Sequence, residues 1–330
     1  MNKAALVVIS SLLVLVPGCV LADFNMRLFS DFNAPLQEVT LQGSGEDKIL
    51  IVPVTGFIND EPESGLVVSK PSLVQEIVSH LDKASLDPTL RALVLQIDSP
   101  GGTVTSSDVI YNEIRKFKQR TGATVVASMM DVAASGGYYI ACAADSIVAH
   151  PTSVTGSIGV IFMRPNLSGL MDKIGVEVEV TKSGSHKDMG SPFRNPTKSE
   201  QNLFQEMIDD YFASFVDIVS RGRNLPRDEV AALADGRVFT GRKALSLKLV
   251  DKTGGLREAI DEAIVRANLS TDARIVVYRR TPVSDDNYYN RATAAWQPSI
   301  PPLVDLGIDR MWGSLTPGFY YLWLPEATGR

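Results

Sequence analysis

Several stretches of the chain are apolar almost without interruption, and helical periodicities stand between them. ILIVPVTGFI (Ile49–Ile58), ALVLQIDSPGG (Ala92–Gly102), TVVASMM (Thr124–Met130) and SIVAHP (Ser146–Pro151) all read as strands. A strand with one face in water alternates apolar and polar residues. These do not alternate, so both of their faces must be covered. Val74, Ile77, Val78 and Leu81 fall at helical spacing after the first strand, and Ile110, Ile114 and Phe117 after the second. Ser135–Ala144 reads as a helix after the third. Strands covered on both sides and joined through helices pair in parallel, which predicts an α/β fold. With 330 residues the chain is long enough for one large domain of this kind with additions.

The second half keeps the pattern less strictly. VEVEV (Val176–Val180) alternates like a half-exposed strand, with an edge that an extended peptide could join. Phe204, Ile208, Tyr211, Phe215 and Val219 mark a long amphipathic helix, and Arg227–Ala234 a short one. Thr240 suits the N-cap of a helix over Gly241–Leu247, and Leu256–Ala267 forms a last helix. The expected limits are a signal over 1–22, a tether over 23–46, the domain over 47–268 and a proline- and aromatic-rich extension over 269–330. The extension reads as an apolar cover, with an assembly surface, a membrane contact and a self-processed segment as the other readings.

A net charge of −6 without extended Lys/Arg runs argues against nucleic acid as a partner. His80, His150 and His186 are scattered and no Cys/His pair has zinc spacing, so no metal is expected. The amino terminus joins Lys3 to the apolar run Ala4–Val16, the layout of an export signal. Its end reads three ways. VPGC at Val16–Cys19 resembles a bacterial lipoprotein box, cleaved before Cys19 and lipidated on its sulfur. VLA at Val20–Ala22 resembles a small-residue cleavage site. Left uncleaved, Ala4–Ala22 approaches the ~20 residues that span a bilayer, with Pro17 badly placed inside it. The lipoprotein reading is preferred. All three put the domain outside the cytoplasm, in a bacterial cell envelope; the lipoprotein and the anchor keep it at a membrane, whereas cleavage after Ala22 releases a soluble protein. The other cysteine, Cys142, lies in an apolar run and reads as a small buried hydrophobe.

Two glycine turns carry the candidate chemistry. IDSPGG ends one strand, and DVAASGGYYIACAAD passes from another strand into a helix. In an open α/β sheet ligands bind at the carboxyl ends of strands, so both turns belong at one crevice. Ser135 stands there as a candidate nucleophile, with the amides of Gly136 and Gly101 as candidate oxyanion donors. The base has two candidates. A Ser–His–Asp triad would use His186, whereas a Ser–Lys dyad would use its neighbour Lys187, provided burial lowers the lysine from its reference pKa of about 10.4. Each turn alone is equally a structural turn, and Lys187 equally a solvated loop lysine.

DVAASGGYYIACAAD, IDSPGG, VTGSIGVI and SGSHKDMGSPFR together resemble the signal peptide peptidase A (protease IV) family of serine peptidases, within the ClpP/crotonase superfamily. The resemblance runs from about Lys48 to Ala267 and implies the repeated strand–helix fold of that superfamily. It implies Ser135 as nucleophile, Lys187 as general base and Ser157 as the hydroxyl that orients the lysine. Gly136 and Gly101 match the oxyanion positions, and His186 is left without a role. No cofactor is implied. The substrates implied are signal peptides and other membrane-derived or unfolded segments. Short members resemble subunits that complete their sites by assembly, so a homo-oligomeric ring is expected in which neighbours contribute Ser135 and Lys187. The sequence departs from the family pattern at Lys248, where glycine is usual. The rival readings are a non-catalytic envelope scaffold and a crotonase-like acyl-CoA enzyme.

Overall fold

The computed structural model describes residues 34–64, 69–293 and 317–324. In chain order the strands are β1 (Gln37–Gln42), β2 (Lys48–Thr55), β3 (Glu63–Ser64), β4 (Ser69–Lys70), β5 (Leu90–Ser99), β6 (Gly101–Thr103), β7 (Thr124–Ala134), β8 (Ser146–Ala149), β9 (Val154–Gly156), β10 (Ile161–Met163), β11 (Val238–Thr240), β12 (Lys252–Thr253), β13 (Arg274–Arg279) and β14 (Gly318–Leu322). The helices are α1 (Leu73–Ser85), α2 (Val104–Thr121), α3 (Gly136–Ala141), α4 (Ser168–Ile174), α5 (Lys198–Arg223), α6 (Arg227–Leu233), α7 (Gly241–Ser246) and α8 (Leu256–Arg266).

The main sheet runs β1-β13-β2-β5-β7-β8-β12. Every neighbouring pair in it is parallel except β1 with β13. Both faces are covered, as the unbroken apolar strands require. On β2, Leu50, Val52 and Val54 face a core built with α1, α2, α3 and α5, while Ile49 and Ile51 face a second core built with α8. The expected α/β class and its mostly parallel pairing are what the chain adopts.

Local signals place the helix ends. Ser72 and Thr103 accept the amides of Gln75 and Ser106 to open α1 and α2, and Gly122 closes α2 in a left-handed conformation. Thr240 caps α7 as expected, accepting from the Lys243 amide at 3.2 Å. Lys248, where glycine is usual, itself takes a positive φ of 59°, so the turn after α7 keeps a glycine-like path.

Two expectations need correction. The stretch read as a tether contributes β1, and the stretch read as an extension contributes β13, so the main sheet reaches beyond 47–268 at both ends. VEVEV forms no strand: it is exposed and finds no partner strand among the described residues. The aromatic tail does form one, β14, inserted between β10 and β6. The expected signal over 1–22, Cys19 included, lies outside the described residues. Among those described, no helix is long and apolar enough to cross a membrane.

Candidate active site

β5 and β7 lie side by side in parallel, with Ser99 opposite Ala133, so the turns that follow them leave the sheet at the same end. Asp98 ties the two ends together by accepting the Val132 amide at 3.0 Å. Beyond its partner β5, β7 continues against β9, with Ala134 opposite Gly156. The Thr155 hydroxyl secures this junction by donating to the Ala133 carbonyl at 2.7 Å.

The next residue is Ser135, with φ 52° and ψ −114°. That backbone position is costly for any residue with a side chain, and such strain concentrates at functional sites. It is held from both sides. The Ser135 amide donates to the Gly156 carbonyl at 2.8 Å, and its carbonyl accepts from the Tyr139 amide at 2.9 Å in the first turn of α3. Although Ser135 caps α3, its hydroxyl makes no capping bond. The residue is only 1% exposed.

The glycine turn after β5 closes over this point. A Cβ placed on Gly101, whose φ is +105°, would come within 3.0 Å of both the Gly136 amide nitrogen and the Tyr321 carbonyl oxygen. A Cβ on Gly136 would stand 2.5 Å from the Ser107 hydroxyl and 3.2 Å from the Gly102 nitrogen. Only residues without side chains allow the two turns to approach this closely. The amide expected as the second oxyanion donor, that of Gly101, is engaged elsewhere: it donates to the Ser99 hydroxyl at 3.1 Å. The amide that stands beside Gly136 is that of Gly102.

Ser157 follows Gly156 on the far side of Ser135. It is buried, has φ 51°, and donates its amide to the Arg237 carbonyl at 2.8 Å. The structure therefore gathers Ser135, Gly136, the Gly101–Gly102 turn and the Gly156–Ser157 turn. It does not bring Lys187 to them within one chain. Lys187 lies in an exposed turn, whereas Ser135 is buried. His186, the triad candidate, meets Ser185 in the same turn and Ser199 in the first turn of α5 rather than Ser135.

That turn is nevertheless firmly anchored. Asp188, next to Lys187, accepts from Lys182 at 2.6 Å and from Arg194 at 2.8 Å. Arg194 also pairs with Glu200 at 2.5 Å, and Glu200 completes the capping box of α5 with Thr197. The Arg194 guanidinium holds the Asp188 carboxyl well below its ordinary range and pulls Glu200 down to about 2. Cys142 is buried as expected, and burial pushes its thiol up to about 12, far from a reactive thiolate.

Some participants gave little warning in the sequence. Ser99 fixes the glycine turn by donating to the Gly56 carbonyl at 2.6 Å, yet it reads only as part of a turn. One sign of β14 is legible, since FYYLWL is rich in strand-forming aromatics. Its partners lie more than 150 residues away.

Comparison with known proteins places the chain in a family. Residues 117–270 match the family described as Peptidase family S49, and residues 69–155 match the Clp protease family. A protein from Enterococcus faecium named Putative signal peptide peptidase SppA is 33% identical over 301 residues, covering 88% of this chain and 87% of that protein. Putative protease slr0021 from Synechocystis is 44% identical over 181 residues, 55% of this chain and 65% of its own length. Protease 4 from Haemophilus influenzae is 32% identical over 269 residues, 80% of this chain but 42% of that longer protein.

Proposed function

Because the chain belongs to peptidase family S49, we propose that it is a serine endopeptidase in which Ser135 is the nucleophile and Lys187 the general base. The observation that carries the reading is the strained, buried Ser135 beside the neighbouring amides of Gly136 and Gly102. A peptide carbonyl placed there meets a hydroxyl on one side and two N–H donors on the other. Losing one such donor typically costs about 3–4 kcal/mol of transition-state stabilisation.

The reaction follows from these groups. Neutral Lys187 takes the proton of the Ser135 hydroxyl as its oxygen attacks the carbonyl carbon, and the amides hold the resulting oxyanion. As the C–N bond breaks, the lysine ammonium returns the proton to the departing amine and an ester remains on Ser135. Water, deprotonated by Lys187, hydrolyses that ester and frees the serine. Ser157 accepts a hydrogen bond from the lysine and orients it.

A lysine acts as a base only when withdrawn from water. On the single chain Lys187 is exposed, and so is much of the segment around it. α4 buries none of its residues, and Leu170, Ile174, Val176, Val178 and Phe193 remain between 44% and 62% exposed. Apolar surface of this extent is normally covered by a partner. Its occupant is a second copy of the chain, in a closed assembly where the Lys187 turn of one subunit docks over Ser135 of the next. Substrates are extended, apolar segments such as signal peptides. Residues 1–22, read as an export signal, would hold the enzyme outside the cytoplasm near membrane-derived substrates.

Trapping the acyl-enzyme tests the nucleophile. A peptide thioester quenched in acid after brief mixing should leave its acyl mass on the tryptic peptide that contains Ser135. The adduct should be missing in Ser135→Ala. An acyl group found on another residue, or persisting in that variant, would contradict the assignment.

A further inference from the structure

α3 has Ser135 at one end and a second cleft at the other. This cleft, about 380 Å³ in volume, lies where the turn Cys142–Ala144 leaves α3 and meets the second half of α2 and the end of α5. Gly222 of α5 packs so closely on that turn that a Cβ there would stand 2.7 Å from the Cys142 carbonyl oxygen. The walls are basic. Arg115 and Lys118 come from α2 and Arg221 from α5, while Tyr111 and Gln119 add neutral hydrogen-bonding groups.

The positive charge of these walls is only partly used within the protein. Lys118 donates to the Ala143 carbonyl at 2.9 Å and pairs with Asp145 at 2.8 Å, which fixes the floor of the cleft. The other carboxylates nearby are committed elsewhere: Glu113 to Lys116, Asp217 to Arg227 and Asp251 to Arg223. Among the described residues, neither Arg115 nor Arg221 pairs with a carboxylate. A helix C-terminus offsets part of such charge, about half a unit. Arg221 answers it by donating Nε to the Asp217 carbonyl at 3.2 Å, which uses one of its N–H groups. Arg115 is held differently, with its guanidinium 5.7 Å from the centroid of the Tyr111 ring. Burial raises the Tyr111 phenol and both arginines pull against it, so the two guanidiniums converge on one hydroxyl.

Guanidiniums reaching one space from two helices, beside a phenol and a primary amide, suit a tetrahedral oxyanion with several acceptor oxygens. A carboxylate needs less, since one arginine already engages both of its oxygens. We infer that this cleft binds a phosphate group, carried by a soluble phosphate or by the headgroup of an anionic lipid. The site is separate from Ser135, and it stands whether or not Ser135 is a nucleophile.

The test titrates the full chain with inorganic phosphate by calorimetry at constant ionic strength. Beside the parent stand Arg115→Gln with Arg221→Gln, and a control, Lys116→Gln with Arg120→Gln, that removes the same charge from α2 outside the cleft. Parent and control should bind phosphate equally, one per chain. The cleft variant should bind about ten-fold more weakly, the loss expected when hydrogen bonds to a charged group are removed. Should that variant fail to melt cooperatively, Arg115→Gln alone, at an exposed position of α2, carries the comparison. Flotation with phosphatidylcholine vesicles, with and without phosphatidylglycerol, separates the two sources. A phosphatidylglycerol-dependent gain in parent and control that is missing in the cleft variant assigns the phosphate to a lipid headgroup. Equal flotation of all three, with phosphate bound in the cleft, assigns it to a soluble phosphate. Three results would overturn the inference. The first is no phosphate binding by the parent together with equal flotation of all forms. The second is phosphate binding and flotation that the cleft variant leaves unchanged. The third is equal weakening in the control, which would mark a diffuse surface field rather than a site.

Discussion

Ser135 and Ser157 are two of the non-glycine residues with positive φ among those described, and the Ser135 amide bonds to the residue just before Ser157. Two strained serines at the ends of adjacent strands mark the site more sharply than either glycine turn alone. Ser135 was legible because ASGG combines a nucleophile with residues that let backbones approach. The strain at Ser157 was not, since serine does not advertise a left-handed backbone and its position depends on Arg237 far along the chain. That Ser99 takes the Gly101 amide, leaving the Gly102 amide beside Gly136, could not be read from the sequence. Gly101→Ala tests the close approach. Its Cβ would meet backbone on two sides at a φ that L-residues avoid, so stability in urea should fall by more than ~1 kcal/mol. A variant as stable as the parent would mean that the two turns are not held as described.

At the scale of elements, the turn bearing Lys187 is held by Arg194 between Asp188 and Glu200. Glu200 titrates at about 2, below the ordinary glutamate range, chiefly because of the Arg194 guanidinium. A carboxyl whose pKa is depressed on folding contributes stability that is fully present above its unfolded value and lost as pH falls through the folded one. Arg194→Gln should therefore lower the melting temperature most between pH 5 and 7, with the difference from the parent shrinking from about pH 4 down towards 2. Activity at neutral pH should drop with it, as the turn that presents Lys187 loosens. A melting difference independent of pH would show that Arg194 acts through packing alone. VEVEV and FYYLWL show why elements in this region were hard to read. Alternation in the first promised a strand, but a strand needs a neighbour, and the described residues supply none. The second reads as an apolar cover, and its Tyr320, Tyr321 and Leu322 are buried. What could not be read is its pairing with β6 across more than two hundred residues.

Over the whole molecule, the parallel sheet and its two cores were legible because strands covered on both faces leave an unbroken apolar record. The limits of the domain were not. β1 is a half-exposed edge whose residues look like ordinary linker sequence, and β13, buried between β1 and β2, lies in the stretch read as an extension. The separation of buried Ser135 from exposed Lys187 is also a property of the whole molecule, since motif spacing cannot say whether two residues meet within one chain or between two. The most direct measurement is cleavage of a denatured protein by the assembled parent, by Ser135→Ala, by Lys187→Ala, and by an equal mixture of the two variants after subunit exchange. Activity is expected in the parent, none in either variant alone, and about a quarter of the parent rate in the mixture, because random assembly places an intact serine beside an intact lysine at that fraction of interfaces. Activity retained in Lys187→Ala, or a mixture as inactive as its components, would contradict a dyad shared between neighbouring chains.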